Sequence, residues 1–367
     1  MSDTVLLTGA TGHLGRWLAL EHLRQGDAVL ALLRRPAEQG PELAAWLASR
    51  GAPTEAFRAV GGDLGAEGLG LTAAAREVLQ GVTRVAHFGA LWGFGLPVAD
   101  VRRVNVGGAR ALLSLAATLP RLRHAVHASG YMATLPAHLA ALGIRADGTA
   151  DWARVYRRTG AYEASKLEAH FAVRAHAAAL GLPLTVVHPA TATGHSRTGE
   201  ILGTQALTDV ARQLLSGRLL AVPGSPRHRL PLVAVDHLAA WVARVPGTEG
   251  TAGRDFLLMD PDSPPLVETV GWLARGAGVA APRRHVPLAL LRAALAVPGV
   301  ARATGLSAEG LPFLRTEALD PGEALALGER LGVHRPPLFA AVEATGRFLA
   351  QGPAQRRLDN ASVRQTA

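Results

Sequence analysis

The sequence predicts an α/β fold: a doubly wound parallel sheet with a smaller, mostly helical C-terminal substrate-binding region. Three observations carry that expectation. Short apolar runs alternate with helical patterns from the N-terminus onward. A glycine-rich turn, Gly9-Ala10-Thr11-Gly12-His13-Leu14-Gly15, joins the first run to the first helix. The alternation breaks after Pro189, where glycine and proline interrupt it.

Strands apolar on both faces and separated by helices pair in parallel, with helices covering both sides of the sheet. Strands read at 4–8, 28–33, 84–88, 124–128 and 184–187, and helices at 14–24, 41–49, 72–79, 105–119 and 161–180. This is the Rossmann pattern, in which ligands bind outside the carboxyl ends of the strands. Beyond it, a Gly- and Thr-rich loop at 191–199 leads to a helix near 205–216. A Pro/Gly/Arg turn region at 223–229 follows, then a strand and helix over 232–244 and a short strand at 256–259. The expected division is a nucleotide-binding domain over 1–190, completed by about 230–260, and a substrate-binding region from 191–229 and 261–352. The polar tail, 353–367, is expected to be mobile. The segment 286–300, interrupted by Arg292 and Pro298, reads as an amphipathic helix that would cover an apolar site.

Composition narrows the function classes. At 367 residues with 49% hydrophobic and 18% charged content, the chain is globular and can bury a large core. A net charge of +9 raises the question of nucleic acid. The arginines are scattered and aromatics are only 5%, so no nucleic-acid partner is expected and attraction to anionic cofactors or membrane surfaces is the reading kept. The absence of cysteine excludes disulfides, thiol catalysis and cysteine metal sites. The histidines show no HExxH or similar spacing, so no metal is expected. The N-terminus runs directly into a strand without a signal-peptide pattern, and no apolar run is long enough to span a bilayer. A cytoplasmic location without a transmembrane span is the expectation, with a homodimer among the expected partners.

The glycine turn points to a dinucleotide. Gly9 permits the tight turn, Gly12 lets backbone N–H groups approach a pyrophosphate at the helix N-terminus, and Gly15 allows close helix–sheet packing. Thr11, His13 and Leu14 fill the same turn. The second strand ends Leu32-Leu33-Arg34-Arg35. NAD sites carry an acid there for the ribose 2′-hydroxyl. Residues 28–35 contain none, and Arg34 and Arg35 suit a 2′-phosphate, so NADP is expected over NAD.

Lys166 is the only lysine; the other 37 of the 38 basic residues are arginine. It stands four residues after Tyr162, one helical turn along the same face. Tyrosine titrates near pH 10, and a nearby cation lowers that value. Lysine is a compact point charge that can also hydrogen-bond a ribose. Tyr-x-x-x-Lys is therefore a proton-transfer device suited to interconverting an alcohol and a carbonyl.

Together these elements resemble the short-chain dehydrogenase/reductase superfamily in its extended form, over about residues 4–260. The resemblance implies roles for further residues. Asp63-Leu64 looks like the step that contacts adenine, and His87-Phe88-Gly89-Ala90 stands where many members have H-x-A-A. Asn105 matches the family's structural asparagine, alternatively a helix N-cap, and is placed in the catalytic group. Ser129, 33 residues before Tyr162, takes the catalytic serine position, with Ala128 replacing the usual first hydroxyl. Asp236 looks like the helix-starting aspartate. The segment from His188 to Glu200 is similar to the R-P-x-x-x-x-G-x-S-x-T-G-E loop of thioester reductases and fatty acyl-CoA-reductase-like proteins, with His188 in place of Arg. The likeness places His188 and Pro189 at the cofactor, and Tyr131, Thr191, Thr193 and Ser196 at a hydrophobic small-molecule substrate. His195 is a further loop histidine near either ligand.

The implied function is an NADP(H)-dependent oxidoreductase reducing a carbonyl or acyl thioester, with Tyr162, Lys166 and Ser129 as acid–base machinery. A sugar-nucleotide epimerase or dehydratase with bound NAD is the first alternative. Dehydratases of this superfamily place acids just after the serine, and Gly130-Tyr131-Met132 has none. A non-catalytic NADP-binding regulator is the second; such proteins often lack the Tyr/Lys pair.

Overall fold

Val5, Leu6 and Leu7 are fully shielded from water, as befits a strand flanked by neighbours on both edges and helices on both faces. In the computed structural model this segment, β1 (Thr4–Thr8), is central to a seven-stranded parallel sheet. Its companions are β2 (Ala28–Leu33), β3 (Phe57–Gly61), β4 (Arg84–His87), β5 (His124–Ala128), β6 (Leu184–Pro189) and β7 (Asp255–Leu258). The order across the sheet is β7-β6-β5-β4-β1-β2-β3. The order reverses beside β1, between β2 and β4, which opens a crevice at the carboxyl ends of β1 and β4. The structure describes residues 2–351 apart from 204 and 305, so the tail at 353–367 lies outside the described residues.

Two compact units emerge. The first comprises Met1–Pro189, Ala239–Leu258 and Glu323–Val333; the second comprises Ala190–Leu238, Met259–Gly322 and the chain from His334. The first unit holds the sheet. On one face Leu6, Val85, Ala125 and Val186 pack with Leu112 and Leu113 of helix Ala109–Ala116 and Val173 of helix Ala161–Ala179. Each leucine so buried contributes about 1.5–3 kcal/mol relative to exposure.

β3 was not expected from the sequence. It is an edge strand whose only buried residue is Val60, and Arg58 faces water. Its apolar signal is correspondingly weak. The second helix begins at Pro36, not at 41; Pro36 takes the first turn and Pro41 is carried inside. Residues 102–108 form a π-helical stretch that continues as helix Ala109–Ala116, so Asn105 lies within a helix and does not cap one.

The second unit is built around two helices, Leu266–Ala277 and Leu338–Ala350. They approach so closely that a Cβ on Gly276 would overlap the Glu343 carbonyl, and one on Gly346 the Leu273 carbonyl. Short ladders pair Thr191–Ala192 with Leu232–Val233 and Val222–Pro223 with His285–Val286. The segment 286–300 is not one helix. A helix at Leu288–Leu295 ends before Pro298, and a second begins at Val300. Among the described residues no helix is long and apolar enough to cross a membrane.

Candidate active site

The glycine turn has the geometry its spacing implied. Gly9 has φ +75°, and a Cβ there would lie 2.6 Å from the Phe88 carbonyl oxygen of the neighbouring strand connection. A Cβ on Gly15 would overlap the Gly9 carbonyl, so the first helix turn rests directly on the turn that precedes it. Gly12 N–H donates to Gly9 O at 2.9 Å and opens helix His13–Arg24 in an extended conformation with no side-chain cap. Uncapped N–H groups and the positive end of the helix dipole therefore face the crevice. A helix N-terminus of this form attracts anions. Thr11 and Leu14 are half-buried in the same turn and His13 is buried.

The supporting residues are tied together. His87 Nδ1 and Thr8 Oγ1 are 2.7 Å apart, and burial pushes the His87 imidazole down to about 3, so it is neutral at physiological pH. Thr8 Oγ1 also accepts the Gly89 N–H at 3.0 Å. A Cβ on Gly89 would lie 2.7 Å from Leu64 Cδ1 and 3.0 Å from Thr8 Oγ1, so the residue is closely packed. Asp63 accepts the Gly65 N–H at 2.8 Å and closes its own turn. Arg34 and Arg35 project exposed beyond β2. Arg35 pairs with Glu38 at 2.7 Å, whereas Arg34 has no acidic partner among the described residues.

Ser129 follows β5, and Tyr162 and Lys166 lie in the first turns of helix Ala161–Ala179. Lys166 Nζ donates to Ala128 O at 2.6 Å, the last residue of β5. Ser129 N–H donates to Val187 O at 2.8 Å, and its buried hydroxyl has no partner among the described residues. Asn105 holds the frame. Its carboxamide accepts the Leu91 N–H at 2.7 Å and donates to Leu91 O at 3.1 Å and Ser165 Oγ at 2.9 Å. Ser165 Oγ in turn donates to Tyr162 O at 2.8 Å.

The electrostatics differ from the expectation for Tyr162. Burial, with Glu163 second, pushes its phenol above the ordinary value. Lys166 is itself lowered to about 8 by burial. A desolvated ammonium hydrogen-bonded to a backbone carbonyl does not draw the phenol towards phenolate here. Glu163 is buried, with one carboxylate oxygen 2.5 Å from His138 Nε2 and the other without a partner among the described residues.

His188, at the end of β6, donates from Nδ1 to Gly130 O at 3.0 Å, and its Nε2 lies 3.2 Å from Asp255 Oδ2. His170 Nε2 lies 3.8 Å from the same oxygen. His170, His188 and Asp255 form a trio with the donor types and proximity of a metal site, which residue spacing did not reveal. Arg174 also pairs with the Asp255 carboxylate and supplies positive charge there. Pro189 completes β6, and Tyr131 is buried in the short turn after Ser129.

Thr191, Thr193 and Ser196 belong to the second unit. Thr191 and Thr193 pair through their N–H groups with Pro231 O and Val233 O. Ser196 Oγ donates to the Asp236 carboxylate at 2.6 Å, which ties the loop to helix Val235–Arg244. His195 Nδ1 accepts the Arg197 N–H at 3.2 Å within the same loop. One residue escaped the sequence reading. Trp92, flanked by glycines in Gly89-Ala90-Leu91-Trp92-Gly93-Phe94-Gly95, sets its ring edge-on to Tyr162 with centroids 6.1 Å apart. A lone tryptophan in a glycine-rich segment after a Rossmann strand was the available signal.

The NAD-binding family described as Male sterility protein matches residues 7–242, and the chain belongs to that family, a branch of the extended short-chain dehydrogenases/reductases. A component of the linear gramicidin synthase of Brevibacillus parabrevis is 27% identical over 272 residues, 71% of this chain but 5% of that protein. The chain thus spans a small fraction of the curated relative it matches. Among solved structures, the terminal R domain of the myxalamid PKS-NRPS pathway superposes with a TM-score of 0.72 at 23% identity, covering 100% of this chain and 92% of that one. A thiolation-reductase di-domain of an archaeal non-ribosomal peptide synthetase gives 0.71 at 17% identity, covering 98% and 76%. UDP-glucuronic acid 4-epimerase of Bacillus cereus with NAD gives 0.64 at 14%, covering 94% and 98%. At these identities the structural likenesses establish the fold.

Proposed function

We propose that this Male sterility family member is an NADP(H)-dependent reductase of an apolar carbonyl or acyl-thioester substrate. The observation that carries the reading is the buried, unpartnered hydroxyl of Ser129, on the residue that follows the Lys166-bound carbonyl of Ala128. A buried hydroxyl without a partner is costly unless a ligand oxygen completes it. When bound, a reduced nicotinamide supplies the hydride. The turn at Gly9, Gly12 and Gly15 receives the pyrophosphate, Arg34 and Arg35 the 2′-phosphate, and Lys166 a ribose hydroxyl. Ser129 Oγ donates to the substrate oxygen, and Tyr162 delivers a proton to the forming alkoxide; from a thioester the product is a hemithioacetal, whose C–S bond then breaks to release the thiol and leave the aldehyde. A phenol held protonated by burial is the form that reduction requires, which favours this direction over alcohol oxidation. The likeness to a peptide synthase and to a thiolation-reductase di-domain supports a thioester substrate, delivered by a carrier or by coenzyme A.

The test is consumption of NADPH by the full-length protein offered medium-chain aldehydes and acyl-CoA thioesters. Absence of turnover on both would remove the reading. A related measurement addresses the cofactor. Replacing Arg34 and Arg35 together with Asp and Ser is expected to weaken NADPH by about fivefold or more, the worth of an exposed charge contact, and to leave NADH unharmed. Fluorescence titration reads both constants, and equal affinities in the unmodified protein would refute the NADP preference.

A further inference from the structure

The connection from β4 to the π-helical stretch, residues 88–97, carries no ionisable side chain and no side-chain hydrogen-bonding group except the indole N–H of Trp92. Trp92 is 37% exposed. Its ring meets two others, Tyr162 at 6.1 Å and 70° and Phe94 at 5.9 Å and 48°. Isolated exposed apolar residues are ordinary on protein surfaces. Trp92 differs in two respects. It lies against the phenol that is to donate the proton, and the backbone beside it is fixed. Asn105 grips both the N–H and the C=O of Leu91, the preceding residue, and continues through Ser165 to the Tyr162 carbonyl. One chain of hydrogen bonds therefore sets Trp92 and Tyr162 in register with each other. Immediately after Trp92, Gly93 has φ +154° and Gly95 φ +70°, backbone that lets the segment turn sharply around the ring.

We propose that Trp92 is a specificity-determining residue, the wall that receives the apolar chain borne by the reacting carbonyl. This rests on the reading of Tyr162 as proton donor to a carbonyl oxygen. An indole face held at the donor offers a large, rigid apolar surface at low cost in conformational freedom. A chain of several carbons laid along it gains contact area, while a short carbonyl compound reaches only Tyr162 and Ser129. A segment without charges or side-chain amides gives nothing to a sugar nucleotide, whose hydroxyls and phosphates need partners. The substrate class is therefore an extended apolar acyl group, as an aldehyde or thioester.

The experiment compares wild type, Trp92→Ala and Trp92→Phe with NADPH on octanal and acetaldehyde. The ratio of kcat/KM for octanal over acetaldehyde is expected to fall about tenfold in Trp92→Ala, mainly through KM, with most of the preference restored in Trp92→Phe. An unchanged ratio, including a uniform loss on both aldehydes, would overturn the inference, since it would mean that Trp92 only supports Tyr162. Octanol binding to the NADP⁺ complex, measured by calorimetry, separates this inference from the functional reading. If wild type reduces neither these aldehydes nor acyl-CoA thioesters, weaker octanol binding in Trp92→Ala keeps the apolar wall while the reductase assignment falls. Octanol binding equal in both proteins removes the wall as well.

Discussion

Tyr162→Phe is expected to lower kcat by about 10²–10⁴, the contribution of a positioned general acid, while NADPH affinity stays within about twofold. The substitution deletes one oxygen and keeps the ring that packs edge-on against Trp92. Helix Ala161–Ala179 should be undisturbed, because its link to Asn105 runs through the Tyr162 backbone carbonyl and Ser165, not through the phenol. The phenol is the group at stake because burial and Glu163 keep it protonated. It therefore carries a transferable proton throughout the neutral range, and the phenylalanine ring carries none. Single-turnover oxidation of bound NADPH by the identified substrate isolates the chemical step. More than about a tenth of wild-type rate in Tyr162→Phe would assign the proton to another donor.

The sequence made the cofactor end of this fold readable because that chemistry depends on backbone. A glycine at a position with φ +75°, or at a point where a Cβ would strike a carbonyl, leaves a mark that no other residue can imitate, as Gly9 and Gly15 show. The strands β1 and β2 were equally plain, being largely apolar runs buried on both faces. β3 was hidden because an edge strand needs little burial. The trio of His170, His188 and Asp255 was hidden for a different reason. Its members come from one helix and two strands, so no spacing connects them. Trp92 was missed because nothing in its own neighbourhood announces Tyr162, which lies 70 residues away (162 − 92). The direction of the Tyr162 shift also required structure. Spacing gives the neighbour, but burial decides whether desolvation or the neighbouring cation prevails.

Lys166→Arg should reduce turnover by about ten- to a hundredfold with the fold unchanged, less than the full contribution of a general acid because positive charge survives. Lys166 Nζ is a single point donor, already 2.6 Å from the Ala128 carbonyl that precedes Ser129. A planar guanidinium spreads its donors over a fork and cannot place one nitrogen in that position while serving a ribose hydroxyl. Arginine fills every other basic position in the chain, so a lysine without a special role would be replaced harmlessly. The pH profile sharpens the test. Lys166 is lowered to about 8 by burial, so its ammonium is present below that value and lost as pH rises through it. Bound phosphate and pyrophosphate would move the transition upward, since anions favour the charged form. Wild-type kcat/KM is therefore expected to decline on the alkaline side of about pH 8, while Lys166→Arg, charged throughout, lacks that limb. A variant with wild-type turnover and the same alkaline limb would show that the ammonium neither positions the cofactor nor titrates in catalysis, and the proton-transfer scheme built on Tyr162 and Lys166 would have to be abandoned.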